Sequence, residues 1–294
     1  MSKMSKVVET ALKHKDFKKD TGDKDEADKL MEKQSVVEDE TYKIPKLLYH
    51  TKVKSKQIFG CQMIVFNEST SAEHNIIYLH GGAYVGEIQV PHIIFCDNIA
   101  KNANATVFAP IYPLAPNHTY DETYKIVEDL YDWMLQFEKP ITIMGDSAGG
   151  GLSAAFCEYL KTKDLTQPEH LILLSPWVDV SMSGDYDDYI DIDPMLGVDG
   201  LREMGKVWAG DLDTKDYRVS PLFGEMEKLP QTTIFVGTHE ILYPDIVQFY
   251  NKLKDNGVEV ELIVGEEMPH VYPIYSIVPE AKEALHHIVK IILD

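Results

Sequence analysis

The chain has 294 residues, 44% of them hydrophobic and 10% aromatic, which is enough for a sizeable core and rules out a wholly disordered chain. Its formal net charge of −20 repels phosphate backbones and anionic lipid headgroups, so neither nucleic acid nor stable membrane insertion is expected. Cys61, Cys96 and Cys157 are widely separated and lack C-x-x-C spacing, which argues against a disulfide framework and against a zinc site.

The first forty residues carry nine Lys and eleven Asp or Glu, so nearly all of the acidic excess lies in the remainder. Met1 to Asp20 has no apolar run of the kind a secretory signal needs, and no stretch approaches the length of a membrane span. A soluble, cytoplasmic protein is therefore expected. Residues 1–55 read as an N-terminal arm that forms part of a cap, with Val7, Val8, Leu12, Leu30 and Met31 available for docking. His14 lies in this charged arm and is a poor candidate for a base.

Residues 56–294 alternate between two patterns. Strands are expected at Gln62–Phe66, Ile76–Leu79, Thr106–Ala109, Ile141–Met144, Leu171–Leu174, Thr233–Val236 and Glu259–Val264. Helices are expected between them at His92–Asn102, Asp121–Phe137, Ala148–Lys161, Asp245–Asn256 and Glu280–Leu293. In the second of these, Tyr124, Val127, Tyr131 and Met134 fall on one face. Such alternation implies an α/β fold with a mostly parallel sheet and helices on both faces. Reactive groups then gather at the carboxyl ends of the strands.

An insertion around 176–222 breaks the alternation, with a helix expected near Val198–Trp208, and reads as a second piece of the cap. Its run Asp185, Asp187, Asp188, Asp191, Asp193 lacks EF-hand spacing and is expected to be a solvated acidic loop, so no metal is expected.

The chemistry centres on Gly145-Asp146-Ser147-Ala148-Gly149-Gly150, where a strand meets a helix. Glycines two residues to either side of Ser147 remove Cβ atoms that would clash in a sharp turn. Such a turn sets the serine at a helix N-terminus, where developing negative charge is favoured. A nucleophilic serine needs a base and an orienting acid, which in a strand–elbow–helix fold follow in that chain order reversed, acid then histidine. His270 lies in a Pro-marked loop after the last expected strand, whereas His286 and His287 lie on the C-terminal helix. The acid belongs on the loop after Thr233–Val236, where Glu240 is the choice and Asp245 the rival; His239 reads as a loop residue. His80-Gly81-Gly82-Ala83-Tyr84 follows another strand, and its amides could meet an oxyanion together with that of Ala148.

Over roughly residues 60 to 290 the chain resembles the hormone-sensitive-lipase-like esterases of the α/β-hydrolase fold. The likeness rests on those motifs and on Tyr112-Pro113-Leu114-Ala115-Pro116, Ser175-Pro176-Trp177 and the Glu240 and His270 loops. It implies Ser147 as nucleophile, His270 as base and Glu240 as acid, with Gly81, Gly82 and Ala148 at the oxyanion hole and a cap built from the arm and the insertion. Two departures are Ala83, where the family's third glycine usually stands, and glutamate rather than aspartate as the acid.

The expected function is a serine carboxylic-ester hydrolase acting on small, short- to medium-chain acyl esters, without metal or organic cofactor. Tyr84, Trp177, Met195, Trp208 and Tyr272 are the expected pocket walls. Two other readings are a catalytically silent small-molecule receptor of the same fold and an amidase or peptidase. The receptor reading is disfavoured because serine, acid and histidine are all present in order. Relatives are often homodimers, but no interface is legible in the sequence.

Overall fold

The computed structural model describes residues 1–13, 17–36 and 41–294. His14 and the end of the charged run at residues 37–40 lie outside these. In chain order the elements are α1 (Lys3–Lys13), α2 (Phe17–Gly22), α3 (Lys24–Ser35), β1 (Val53–Ile58), β2 (Cys61–Phe66), β3 (His74–Leu79), α4 (Val90–Asn102), β4 (Ala105–Pro110), α5 (Tyr120–Leu135), β5 (Ile141–Asp146) and α6 (Ser147–Thr162). There follow β6 (His170–Leu174), α7 (Asp187–Ile190), α8 (Val198–Ala209), β7 (Gln231–His239), α9 (Tyr243–Asp255), β8 (Val260–Pro269) and α10 (Pro279–Leu293).

Among the described residues, eight strands form one sheet in the order β1-β2-β4-β3-β5-β6-β7-β8. From β4 to β8 every neighbour is parallel, while β1 and β2 pair antiparallel at one edge. The parallel strands are apolar on both faces because helices cover both. Ile77, Leu79 and Ile143 point into one core with Val127, Leu152 and Phe249, whereas Ile76, Tyr78 and Met144 point into the other with Ile93, Ile99 and Ile288. All four residues on the expected apolar face of α5 are buried.

The sequence reading missed β1. Its residues Val-Lys-Ser-Lys-Gln-Ile carry too little apolar character to signal a strand, which suits an exposed edge where lysines discourage further pairing. Phe59 and Gly60, at φ 51° and 73°, close the β1–β2 hairpin in the left-handed turn that matches strand twist. The boundary drawn at residue 55 falls inside this strand.

The helices of the arm dock in two places. The Ser2 and Ser5 side chains bind the Glu280 carboxylate, at 3.0 and 2.7 Å, which holds α1 against the start of α10. Helices α2 and α3 pack instead on α8 of the insertion. The close approach of α2 needs Gly200, where a Cβ would come within 2.3 Å of the Asp20 carbonyl oxygen. The insertion and the α2–α3 segment of the arm are therefore one packed layer.

Candidate active site

Three loops, after β3, β7 and β8, and the direct β5–α6 junction bring the expected residues together at the carboxyl ends of the strands. Strand β5 runs into α6 without a loop, and Ser147 takes φ 51° at the junction. This left-handed conformation is strained for a residue with a Cβ and is held by its surroundings. Gly149 allows it: a Cβ there would lie 2.0 Å from the Leu79 carbonyl oxygen, so only hydrogen fits between α6 and β3. Ser147 is half-buried at the first turn of α6.

His270 Nε2 lies 2.8 Å from Ser147 Oγ, and His270 Nδ1 lies 2.5 Å from Glu240 Oε2. Glu240 Oε1 accepts the Ser175 hydroxyl at 2.8 Å and the Gly237 amide at 2.7 Å. The Ser175 hydroxyl also accepts the Val271 amide at 3.0 Å, so one side chain links the acid loop to the histidine loop. Burial by itself would lower the His270 pKa; the charge and hydrogen bond of Glu240, aided by Asp193 and Asp146, reverse this and hold it above 6.5. The rival, Asp245, accepts instead the Tyr186 hydroxyl at 2.6 Å, and burial pushes its pKa up to about 6. Glu240, the choice from sequence, is thus the carboxylate within reach of His270. His239 faces the arm, with Nδ1 3.2 Å from Glu9.

The oxyanion loop departs from the expectation at one residue. The Gly81 amide already donates to Asp146 Oδ1 at 3.0 Å, so it is committed within the protein. Asp146 also accepts the Tyr78 hydroxyl and stands 3.2 Å from His92 Nε2. Burial alone would raise the Asp146 pKa, but His92 and these donors hold it below the usual carboxylate range. The amides of Gly82, Ala83 and Ala148 meet no acceptor among the described residues. Gly82, Ala83 and Tyr84 all have positive φ (128°, 53° and 63°), which turns successive amides the same way. Ala83, the departure from the usual glycine, keeps an uncommitted amide.

The expected aromatic walls are core. Tyr84 and Trp208 stack in parallel with ring centres 4.1 Å apart, and Trp177 also stacks on Tyr84, with centres 5.7 Å apart. The Tyr84 hydroxyl donates to the Ala148 carbonyl at 2.8 Å, tying the oxyanion loop to the elbow. Tyr272 is buried in the opposite core, with α4 and α10. Only Met195 of the five is part-exposed, and its sulfur receives the Tyr275 hydroxyl at 3.5 Å. Large aromatics bury so much apolar area that packing claims them first.

The acidic loop also needs correcting. Asp185, Asp187, Asp188 and Asp191 are exposed as expected, but Asp193 is buried beside the site. Ser175, Asp193 and Tyr275 were missed as contributors. For Asp193 a signal existed: it alone of the run precedes an apolar stretch, Pro194-Met195-Leu196. Among the described residues no group of His, Cys, Asp or Glu could hold a metal ion, and no helix is long and apolar enough to cross a membrane.

The chain is similar to known proteins. A family model described as alpha/beta hydrolase fold matches residues 76–274. An esterase of Acinetobacter venetianus is 33% identical over 222 residues, covering 73% of each chain. The crystal structure of EstE5 soaked with p-nitrophenyl butyrate superposes with a TM-score of 0.84 at 27% identity, over 100% of this chain and 98% of that one. A hormone-sensitive-lipase homologue, EstE7, from a metagenome library gives 0.83 at 26% identity, over 99% and 98%. With fold, elbow and relatives in accord, the chain belongs to the hormone-sensitive-lipase-like esterases and lipases of the alpha/beta hydrolase fold.

Proposed function

We propose that the protein is a serine carboxylic-ester hydrolase acting on small esters of short- to medium-chain acids, with Ser147 as nucleophile. The observation that carries this is His270, whose two ring nitrogens lie within hydrogen-bond reach of Ser147 Oγ and Glu240 Oε2. Glu240 holds the imidazole in the tautomer whose Nε2 is free to accept the serine proton. Ser147 Oγ attacks the acyl carbon as that proton moves to Nε2. The oxyanion that forms is met by the amides of Gly82, Ala83 and Ala148, aided by the N-terminus of α6. The intermediate collapses as His270 returns the proton to the alcohol, which leaves. Water then gives its proton to His270 and attacks the acyl-enzyme, releasing the acid and restoring Ser147. Every proton is carried by His270 and none needs a metal.

The short- to medium-chain proposal draws on the relative soaked with a butyrate ester. The test is hydrolysis of p-nitrophenyl acetate to decanoate by the purified chain and by Ser147→Ala. Turnover is expected to fall at least about 10⁴-fold in the variant, with circular dichroism unchanged and the wild-type optimum at or below the octanoate. Undiminished turnover in Ser147→Ala would overturn the mechanism, and an optimum at decanoate would overturn the chain-length assignment.

A further inference from the structure

Asp193 stands where the insertion, the arm and the acid loop meet, and it is 1% exposed. Its Oδ1 accepts the amides of Met195 and Leu196 at 2.7 and 2.8 Å, which shapes the stretch leading into α8. Its Oδ2 accepts the amide of Ile241 at 2.8 Å, and Ile241 directly follows Glu240. From the arm, Lys18 Nζ donates to the Asp193 carbonyl at 2.7 Å and to the Ile190 carbonyl. The Thr21 hydroxyl joins the same node, donating to the Met195 carbonyl at 3.3 Å and accepting the Gly197 amide at 3.0 Å.

We propose that Asp193 is a positioning residue for the Glu240–His270 pair, fastening the cap to the acid loop and placing a second negative charge toward His270. This rests on the triad reading above. Three amide donors converge on two oxygens, which suits a carboxylate because it only accepts. An asparagine would turn an NH₂ group toward one of those N–H donors, setting donor against donor and pushing the chain beside Glu240 out of place.

The charge matters as much as the shape. The charged groups facing His270 are Glu240 from the β7–α9 loop, Asp193 from the insertion and Asp146 from the β5–α6 junction. The Lys18 ammonium sits at the Asp193 main-chain carbonyl from the arm, and Tyr275, whose hydroxyl meets the Met195 sulfur, adds no charge near neutral pH because burial pushes its pKa up. Asp193 therefore favours the imidazolium that forms in each proton transfer, and it does so only when the insertion is seated. Burial pushes the Asp193 pKa up to about 6 against the pull of His270 and the three amides, so the side chain is anionic at pH 8.

The experiment compares wild type, D193N, D193E and S147A with p-nitrophenyl butyrate from pH 5 to 9, with rates normalised to sites counted by stoichiometric phosphonate labelling in the three proteins that keep Ser147 and to total folded protein in S147A. D193N is expected to lose about tenfold or more in kcat, with KM within about threefold. Its acid limb of kcat/KM should move to lower pH, because removing a negative charge lowers the His270 pKa. D193E keeps the charge on a longer arm, so kcat should fall while the acid limb stays where it is in wild type. Where D193N yields too little folded protein, D193E decides alone: lowered kcat with an unmoved limb supports the proposal, and an unchanged kcat overturns it. A kcat within about twofold of wild type in D193N, or a lower rate with an unmoved limb, overturns it as well. Full activity in S147A would instead refute the triad reading, whatever D193N does.

Discussion

Glu240 and Glu158 are both buried, at 0% and 2% exposure, yet their surroundings are opposite. Glu240 takes a hydroxyl, a backbone amide and His270 on its two oxygens. Glu158, on the same helix as Ser147, has an Oε1 that meets no donor among the described residues. Burial pushes its pKa well up, with Lys252, Lys161 and the Glu225 amide opposing too weakly to offset it. The Lys252 ammonium is engaged instead by the carbonyls of Leu222 and Gly224, at 2.8 and 2.6 Å. Burial of a carboxylate is therefore no mark of a site. Convergent donors that orient both oxygens toward a titratable partner are.

The comparison is most exposed at the acid. Glu240→Gln is expected to lower kcat by about 10²–10⁴-fold, because an amide can no longer hold and stabilise the protonated imidazole. Asp245→Asn should leave kcat within about threefold, because Asp245 contacts Tyr186 rather than His270. Parallel kinetics on the two variants check this, and the reverse ranking would move the acid role to Asp245.

A smaller effect concerns pH. His270 must be neutral to accept the serine proton, and its pKa is held above 6.5. The acid limb of kcat/KM should therefore lie above the pKa of an ordinary imidazole, with activity lost as pH falls through it. A limb below that value would show that desolvation outweighs the Glu240 charge.

The smallest effect is expected at Glu158, and it bears on stability rather than rate. A carboxyl whose folded pKa is raised holds its proton more tightly in the native state. Its contribution is fully present below the unfolded value and lost as pH rises through the folded one, by at most about 1.4 kcal/mol per pH unit. Glu158→Gln should flatten that slope in urea melts between pH 5 and 8 and leave kcat within about twofold. An unchanged slope would mean that Glu158 is already ionised.

Much of the fold was legible because it is written in short-range pattern. Apolar runs of mostly four residues marked the parallel strands, and helical spacing on α5 named its buried face. The edge strand β1 was hidden because a solvated strand needs no apolar run. In the site, Ser147 and His270 were legible from motif and order, while the acid was narrowed to Glu240 with Asp245 as its rival. The commitment of the Gly81 amide, the part played by Asp193 and the burial of Tyr84, Trp177, Trp208 and Tyr272 were not. Each of these depends on a partner far away in the chain, such as Asp146 for Gly81 or Ile241 for Asp193.

The sequence by itself determined that a glycine-flanked serine would sit on a strand–helix elbow at the carboxyl edge of a parallel sheet, because local sterics and hydrophobic period act over a few residues. Tertiary structure alone decided which carboxylate meets His270, which amides stay free for an oxyanion and which helices of the arm join the insertion. Those outcomes turn on ångström-scale side-chain direction and on competition among buried donors and acceptors, which exist only once distant segments have packed.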